Sequence, residues 1–543
     1  MRVLGIEGTA WAASAAVYDT DADADADPGA GDVFIETDAY LPDSGGIHPR
    51  EAAEHMRGAV PDVVGRAMDE ARERHGDDEG PPVDAVAFSR GPGLGPCLRI
   101  VATAARALAG TLEVPLVGAN HMVAHLEIGR TRSGFESPVC LNASGANAPL
   151  LGFRNGRYRV LGETMDTGVG NAIDKFTRHL GWSHPGGPKV EKRAREGEYV
   201  ELPYVVKGMD FSFSGITSAA KEAYDDGVPV EDVCFSLQET IFAMLTEVSE
   251  RALSLTDADE LVLGGGVGQN ARLREMLDEM CEARGASFFA PEPRFLRDNA
   301  GMIAVLGAKM CGAGDTIGID ESRVRPDFRP DEVPVTWRDG AESVGRHRTE
   351  EGAVRGAEAL VEVGPERAVK RRRPKAYRHP ELDGRLRRER TRSEARLTSE
   401  ARREGVPTPV VLDVDDVDDA EAALTVETVG EADLRDSLTE SRVREVGRHL
   451  AALHRAGFVH GDPTPRNARV SAGRTYLIDF GLGYYTDDRE DFAMDLHVFE
   501  QSVAGTADDA EALVGAFEGA YRDAGDPRVL DRLREIEGRG RYQ

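Results

Sequence analysis

The strongest constraint on the fold lies in residues 1–330, where short β-rich runs alternate with helical stretches and several of the runs end in glycine. The runs are RVLGIEG, DAVAFSR, PLVGAN, PVCLNAS and ELVLGGG; the intervening helical stretches include 51–74, 98–112, 232–254 and 270–284. Such alternation predicts an α/β domain with parallel strand pairing. Residues 21–32, DADADADPGAGD, read as an acidic insertion in a hairpin loop. Glycines close three strand ends, in GIEGT (5–9), SGAN (144–147) and GGGVGQN (264–270). In α/β domains ligands lie outside the carboxyl ends of strands, where glycine lets backbone N–H groups approach a phosphate. The third segment adds the strand, glycine turn and helix order that gives such a turn meaning. Together the three predict a bound nucleotide.

From residue 330 to about 350 the chain turns polar and is punctuated by Pro and Gly, as a linker is. Beyond it, 351–376 reads as a small antiparallel sheet and 381–404 as a long charged helix, with Pro380 at its start and Gly405 just past its end. Strands at 409–413 and 423–429, a helix at 439–456, a loop at 460–467, a strand at 475–480 and terminal helices follow. The expected organisation is an α/β domain over 1–338, a linker over 339–350 and a two-lobed α+β domain over 351–543, within the two to four domains that 543 residues allow.

Composition narrows the setting. Five scattered cysteines without a C-x-x-C pair predict reduced, mostly buried thiols. No run of about 18 apolar residues is present, and the strand-like start lacks the pattern of a signal peptide, so we expect a cytoplasmic chain without a membrane partner. The net charge of −30 weighs against nucleic acid, but it also suits a protein solvated in a very salty, halophilic cytoplasm.

Chemistry-bearing residues fall in both halves. His121 and His125 in NHMVAH share one helix face and can bind one metal ion. Met122 stands where a zincin protease needs its glutamate, which excludes that reading. Asp298, in FLRDNAGMIA, is a candidate third ligand. In the second half, FVHGDPTPRNARV followed by LIDFG places Asp462 and Asn467 as in H-R-D-x-x-x-x-N, with Asp479 opening a D-F-G. Asp462 would orient a hydroxyl or water, while Asn467 and Asp479 would hold Mg²⁺ on ATP. Lys370 would reach the phosphates, paired with Glu394 or alternatively Glu389, under a covering loop RGAEA containing Gly356 and Ala357. The HGD loop lacks the arginine of regulated kinases, and no A-P-E follows Asp479; this predicts ATPase-like turnover or a narrow phosphotransferase.

The ordered segments RVLGIEGTA, RGPGLGPCLRI, NHMVAHLEIG, DTGVGNAIDKFTRHLGWSHPGGPKVE, FSFSGITSAA, LGGGVGQN and RDNAGMIA resemble the TsaD family of threonylcarbamoyl-transferases, in the form found in KEOPS, over essentially all of 1–338. The resemblance implies a two-lobed, actin-like (ASKHA) fold. It implies transfer of threonylcarbamoyl from threonylcarbamoyl-AMP to N6 of adenosine 37 in tRNAs reading ANN codons. It further implies an iron or zinc ion on His121, His125 and Asp298, and an adenylate site from Asn142, Ala143, Ser144, Gly145, Ala146, Asp174, Gly187, Glu191 and Asn270. Where the family has Tyr-Val-Ser-Gly-Gly this chain has Asn142 to Ala146, so a phenolate ligand is lost.

The segment 350–543 resembles the small atypical, RIO-like kinase subunit of KEOPS, although Pro463, Pro465 and Arg466 alter the usual HGDLTTSN. The chain thus resembles a fusion of transferase and kinase, which implies ATP as a ligand and two further partners: a small dimerising subunit on the transferase and a kinase-binding subunit. A rival reading is a regulatory serine/threonine kinase fused to a non-catalytic actin-like nucleotide- or tRNA-binding module. Residues 367–403 hold fifteen Lys and Arg against five Asp and Glu. This local excess predicts a tRNA-binding face through Arg371, Arg372, Arg373, Lys375, Arg387 and Arg388, with Arg539 and Arg541 of the tail as a second contact.

Overall fold

The computed structural model describes residues 1–20, 32–40, 48–76, 79–154, 156–338, 353–415, 422–471, 473–507 and 509–539. The acidic stretch at 21–31, the linker at 339–350 and Arg541 lie outside the described residues, as does the side chain of Arg539.

The first lobe is built on a five-stranded sheet ordered β3-β2-β1-β4-β5. β1 (Arg2–Glu7), β2 (Ala12–Asp19) and β3 (Asp32–Ala39) form an antiparallel meander; β4 (Ala85–Gly91) and β5 (Leu116–Asn120) extend it in parallel with β1. Strands β1, β4 and β5 are buried along nearly their whole length, as a parallel sheet covered on both faces requires. Helices α1 (Pro49–His75) and α2 (Gly95–Leu112) enclose one apolar core with the sheet. Immediately after β5 the chain enters α3 (His121–Ser133).

The second lobe repeats this plan. β6 (Val139–Asn142), β7 (Leu150–Arg154) and β8 (Arg157–Gly162) form a second meander. After α4 (Val169–His179), α5 (Gly187–Ala194), the short pair β9 (Val206–Lys207) and β10 (Asp210–Phe211), α6 (Ser214–Asp225) and α7 (Val230–Thr256), the parallel strands arrive: β11 (Glu260–Gly264), then, beyond α8 (Ala271–Arg284), β12 (Ser287–Phe289). The order β8-β7-β6-β11-β12 matches that of the first sheet strand for strand. α9 (Pro293–Leu296) leads to α10 (Ala300–Gly312), which returns to the first lobe and lies so close to β1 that a Cβ on Gly5 would stand 2.5 Å from the Ala300 carbonyl oxygen. The two lobes are therefore a duplication, with the metal-ligand candidates at the junction between them.

Beyond the linker, β13 (Ala353–Arg355), β14 (Leu360–Val363), β15 (Arg367–Arg372), β16 (Val411–Asp415) and β17 (Ala422–Glu427) form an antiparallel sheet in the order β13-β14-β15-β17-β16. α11 (Pro380–Arg403) packs beside it, starting at Pro380 and followed by Gly405 at φ +80°. The rest is mostly helical, with α12 (Glu440–Arg455), α13 (Arg489–Thr506), α14 (Ala510–Ala524) and α15 (Pro527–Arg539) around one apolar core. The five cysteines are free, and all but Cys311 are buried. No helix among the described residues is long and apolar enough to cross a membrane.

Candidate functional site

The first site forms where β5 becomes α3. Asn120 caps the helix, its side-chain oxygen accepting from the backbone N–H of Met122 at 2.9 Å and Val123 at 3.1 Å. This fixes His121 in the first turn and His125 one turn later, with ring centroids 4.8 Å apart and planes near perpendicular. Asp298 arrives from the loop before α10, its Oδ1 3.3 Å from His125 Nε2 and 3.4 Å from His121 Nε2. One ligand atom from each of the three lies within 4.8 Å of the others. Two residues missed by the sequence reading orient this set. Glu7, wholly buried at the end of β1, stands 3.2 Å from His121 Nδ1, and the Trp11 indole N–H donates to Asp298 Oδ2 at 2.9 Å. An acid ending an otherwise apolar strand was the available signal for Glu7; nothing in the sequence marked Trp11.

The electrostatics call for positive charge. Burial alone would lower the His121 imidazole, but Glu7 and Asp298 outweigh it and raise it to about 10. Asp298, despite burial, is held well below the usual carboxylate range by His121 and His125, whereas burial lowers His125. Two imidazoles and a carboxylate form a donor set suited to iron(II) or zinc. Asn142, wholly buried at the end of β6, leaves its Oδ1 without a hydrogen-bond partner, and its Nδ2 lies 3.7 Å from the Met122 sulfur. Where a phenolate is absent, a neutral carbonyl is therefore on hand.

The glycine turns converge beside it. Gly265, at φ +82°, lies against Ala143, where a Cβ would sit 2.3 Å from the Ala143 carbonyl oxygen; the N–H of Val267 donates to that same oxygen at 3.0 Å. Ser144 closes a turn through Asn147, and the N–H of Asn171 at the start of α4 donates to the Gly145 carbonyl at 2.9 Å, with Ala146 in the same turn. Asp174 accepts from the Gly186 N–H at 2.7 Å, which sets the start of α5 at Gly187. Glu191 accepts from the Ala271 N–H at 3.1 Å, and Asn270 caps α8. Separate hydrogen bonds thus tie the 143–145 turn to α4 and to Val267, Asp174 to the residue before α5, and Glu191 to the start of α8. Asp174, Glu191 and Asn270 are engaged as backbone caps.

The second constellation surrounds a cavity of about 290 Å³ lined by Gly356, Ala357, Lys370, Glu394, Asp462, Asn467 and Asp479. Lys370 Nζ lies 3.0 Å from both Glu394 carboxylate oxygens and 2.6 Å from Asp479 Oδ1; Glu389 is exposed and takes no part. Burial opposes charge on Asp479, yet Lys370 and Arg372 hold its carboxyl well below the ordinary range. Its backbone occupies the left-handed region at φ +66°, a conformation that costs a non-glycine residue energy. Asn467 Nδ2 donates to Asp462 Oδ2 at 3.0 Å, and Asp495 secures the loop by accepting from the N–H groups of His460 and Gly461, both at 2.7 Å. Burial raises the Asp462 carboxyl although Arg251 opposes it. That arginine comes from the other half of the chain: on α7, its Nη1 lies 2.9 Å from Asp462 Oδ2, and Met209, Ser254 and Leu255 join it in the cavity wall.

The same boundary corrects the expected tRNA face. Arg372 is buried against Glu394, Arg387 is buried against Asp383 at 2.7 Å, and Lys375 Nζ lies 2.6 Å from Glu250 of α7. These three side chains are committed within the protein and are not a phosphate-binding surface. Other arginines of the cluster meet α7 as well: Arg378 and Arg390 converge on Glu247 at 2.7 and 3.1 Å, and both also reach Glu358. Three cations of the cluster, Lys375, Arg378 and Arg390, thus meet buried carboxylates of the first domain. Arg373 is exposed, and Arg371 and Arg388 are half-buried.

A family model described as "TsaD: tRNA N6-adenosine threonylcarbamoyltransferase" matches residues 30–305. The chain is 72% identical over 544 residues to a "Probable bifunctional tRNA threonylcarbamoyladenosine biosynthesis protein" of Natronomonas pharaonis, with all of both chains covered. The protein of that name from Halobacterium salinarum is 70% identical, with 100% of this chain and 99% of the relative covered. That of Methanospirillum hungatei is 49% identical, with 99% of each covered. The matched segment, the full-length likeness and the duplicated lobes agree: the chain belongs to the family of bifunctional tRNA threonylcarbamoyladenosine biosynthesis proteins, with a TsaD-type, actin-like first domain.

Proposed function

We propose that the first domain transfers threonylcarbamoyl from threonylcarbamoyl-AMP to N6 of adenosine 37 in tRNAs reading ANN codons, in the cytoplasm. The observation that carries this reading is the His121, His125 and Asp298 cluster beside the glycine turns of the second lobe, within a chain alike over its full length to relatives bearing that function in their names. The exocyclic amine attacks the carbamoyl carbon, the bond to the phosphate oxygen breaks, AMP departs with its charge and N6 loses one proton. Backbone N–H groups of Gly145 and Ala146 in one turn and of Gly265 and Gly266 in the other would meet the adenylate phosphate. Glu7 and Asp298 would fix the histidine rings, and Asn142 would offer a neutral oxygen where the family tyrosine is missing. A bound iron or zinc ion would supply Lewis-acid polarisation of the mixed anhydride.

For the second domain we propose a RIO-like, kinase-type fold that binds ATP and Mg²⁺ and hydrolyses ATP in support of the transfer. Lys370 with Glu394 would engage the phosphates beneath Gly356 and Ala357, Asn467 and Asp479 would hold Mg²⁺, and Asp462 would orient the nucleophile. The wall contributed by Met209, Arg251, Ser254 and Leu255 supports water as that nucleophile, because α7 stands where a protein hydroxyl would have to approach. The other KEOPS subunits, a dimerising one on the transferase and another on the kinase, complete the assembly. Arg371, Arg373 and Arg388, together with Arg539 and Arg541, remain the tRNA contacts of this domain.

The test is to incubate the full chain and its partner subunits with labelled threonine, bicarbonate, ATP, the adenylate-forming enzyme and unmodified tRNA in molar KCl. Label on tRNA is expected with the wild type. None with active partners and intact tRNA would overturn the transferase reading.

A further inference from the structure

A second basic surface lies on α4 and α5. Trp182, Lys189, Lys192, Arg193 and Glu196 line an open cavity of about 430 Å³. α5 buries Val190 and Ala194 in the core of the second lobe and gives Glu191 to the start of α8, which leaves Lys192 and Arg193 exposed on its outer side. Lys175 and Arg178 are exposed on α4. Residues 174–196 hold six Lys and Arg against three Asp and Glu, in a chain where acids outnumber bases 96 to 66. Their pairing also differs from that of 367–403. Arg193 meets Glu231 at 2.7 Å, and Lys189 donates to the hydroxyl of Ser183 at 2.6 Å. Lys175, Arg178, Lys192 and Arg195, all exposed, have no ion-pair partner among the described residues. Trp182 sits half-buried in the same cavity wall as Lys192, packed on the lobe core.

Unpaired cations beside an aromatic ring suit a single-stranded or looped polyanion, because the charges track its phosphates and the ring stacks on a base. Position adds to the argument. The same two helices carry Asp174, Gly187 and Glu191, so an RNA that brings an adenosine to that site must lay its flanking phosphates close by. We propose that the α4–α5 face, with Lys175, Arg178, Lys192 and Trp182 as its main contacts, binds the anticodon stem–loop of the substrate. This rests on the reading of the chain as a tRNA-modifying transferase, and it locates the RNA surface on the transferase domain.

Fluorescence anisotropy with a labelled anticodon stem–loop RNA across a KCl series tests it, using the full chain and the triple variant Lys175→Glu, Arg178→Glu, Lys192→Glu. Removing three phosphate contacts should lower the slope of log affinity against log salt by about 2 and weaken binding at least about tenfold at the lowest salt. Trp182→Leu should weaken binding with the slope unchanged. Metal content and the thermal melt of each variant establish that the fold and the first site are intact. Equal affinity and equal slope for the triple variant would overturn the proposal, as would loss of a protein partner with RNA binding unaltered. A wild type that leaves tRNA unmodified while the triple variant loses RNA binding would instead count against the transferase reading alone.

Discussion

Replacing Glu247 by alanine should loosen the two halves of the molecule from one another. Its carboxylate is fully buried on α7, and it accepts from the Tyr204 hydroxyl at 2.6 Å, Arg378 at 2.7 Å and both Arg251 and Arg390 at 3.1 Å. Taking one partner from a buried charge pair costs about 3–5 kcal/mol, because the remaining charge stays desolvated. Glu358 retains Arg378 and Arg390, and Asp462 retains Arg251, so those cations are not left bare. The orphaned Tyr204 hydroxyl adds about 1 kcal/mol. We therefore expect about 4 kcal/mol for Glu247→Ala and about half of that for Glu247→Gln, which keeps an acceptor but loses the charge. The assay is urea unfolding followed by tryptophan fluorescence and by far-ultraviolet circular dichroism. All three tryptophans, at 11, 182 and 337, lie in the first domain, whereas circular dichroism reports both. In Glu247→Ala the dichroism transition should move to lower urea and separate from the fluorescence transition. The separation should persist in molar KCl, since salt screens exposed charges far more than buried ones. Coincident transitions at the wild-type midpoint would refute the view that the basic cluster is held by α7.

Further outcomes follow from the same geometry. Asp462→Asn should abolish ATP hydrolysis while leaving the metal content of the first domain unchanged; hydrolysis at the wild-type rate would remove Asp462 from its assigned role. Arg251→Met should free the Asp462 carboxylate and raise kcat for ATP hydrolysis about fivefold, roughly 1 kcal/mol, with KM for ATP unchanged. A fall in kcat would instead place Arg251 among the groups that assist hydrolysis. Burial opposes charge on Glu127, yet Lys309 and Arg130 lower its carboxyl to about 2. A depressed carboxylate stabilises the fold above its unfolded pKa, and that stability is lost as pH falls. Acid unfolding should therefore draw on this group between about pH 4.5 and 2, and Glu127→Gln should flatten the pH dependence of stability in that window.

Local patterns carried much of this structure in the sequence. The i, i+4 histidine spacing and the Asp462, Asn467 and Asp479 arrangement depend on short-range geometry, and their atoms meet where the spacing places them. The duplication was not legible, because the two lobes share strand order while differing in the lengths of chain between their strands. Charge misled for a related reason. A run of arginines states its sign but not its partners, and the carboxylates that meet Lys375, Arg378 and Arg390 lie more than a hundred residues earlier, on α7. A signal was nevertheless present: Glu239, Glu247 and Glu250 fall on one helical face with the buried Ala243, and acids in an apolar stripe call for buried cations.

The most direct test of the central claim is nucleoside analysis by mass spectrometry of unmodified tRNA treated with threonylcarbamoyl-AMP and the partner-bound chain, as wild type and as His121→Ala, alongside metal analysis of both proteins. The account predicts threonylcarbamoyladenosine at position 37 and bound iron or zinc for the wild type, and loss of both in the variant. Modification by a metal-free His121→Ala protein at the wild-type rate would contradict it.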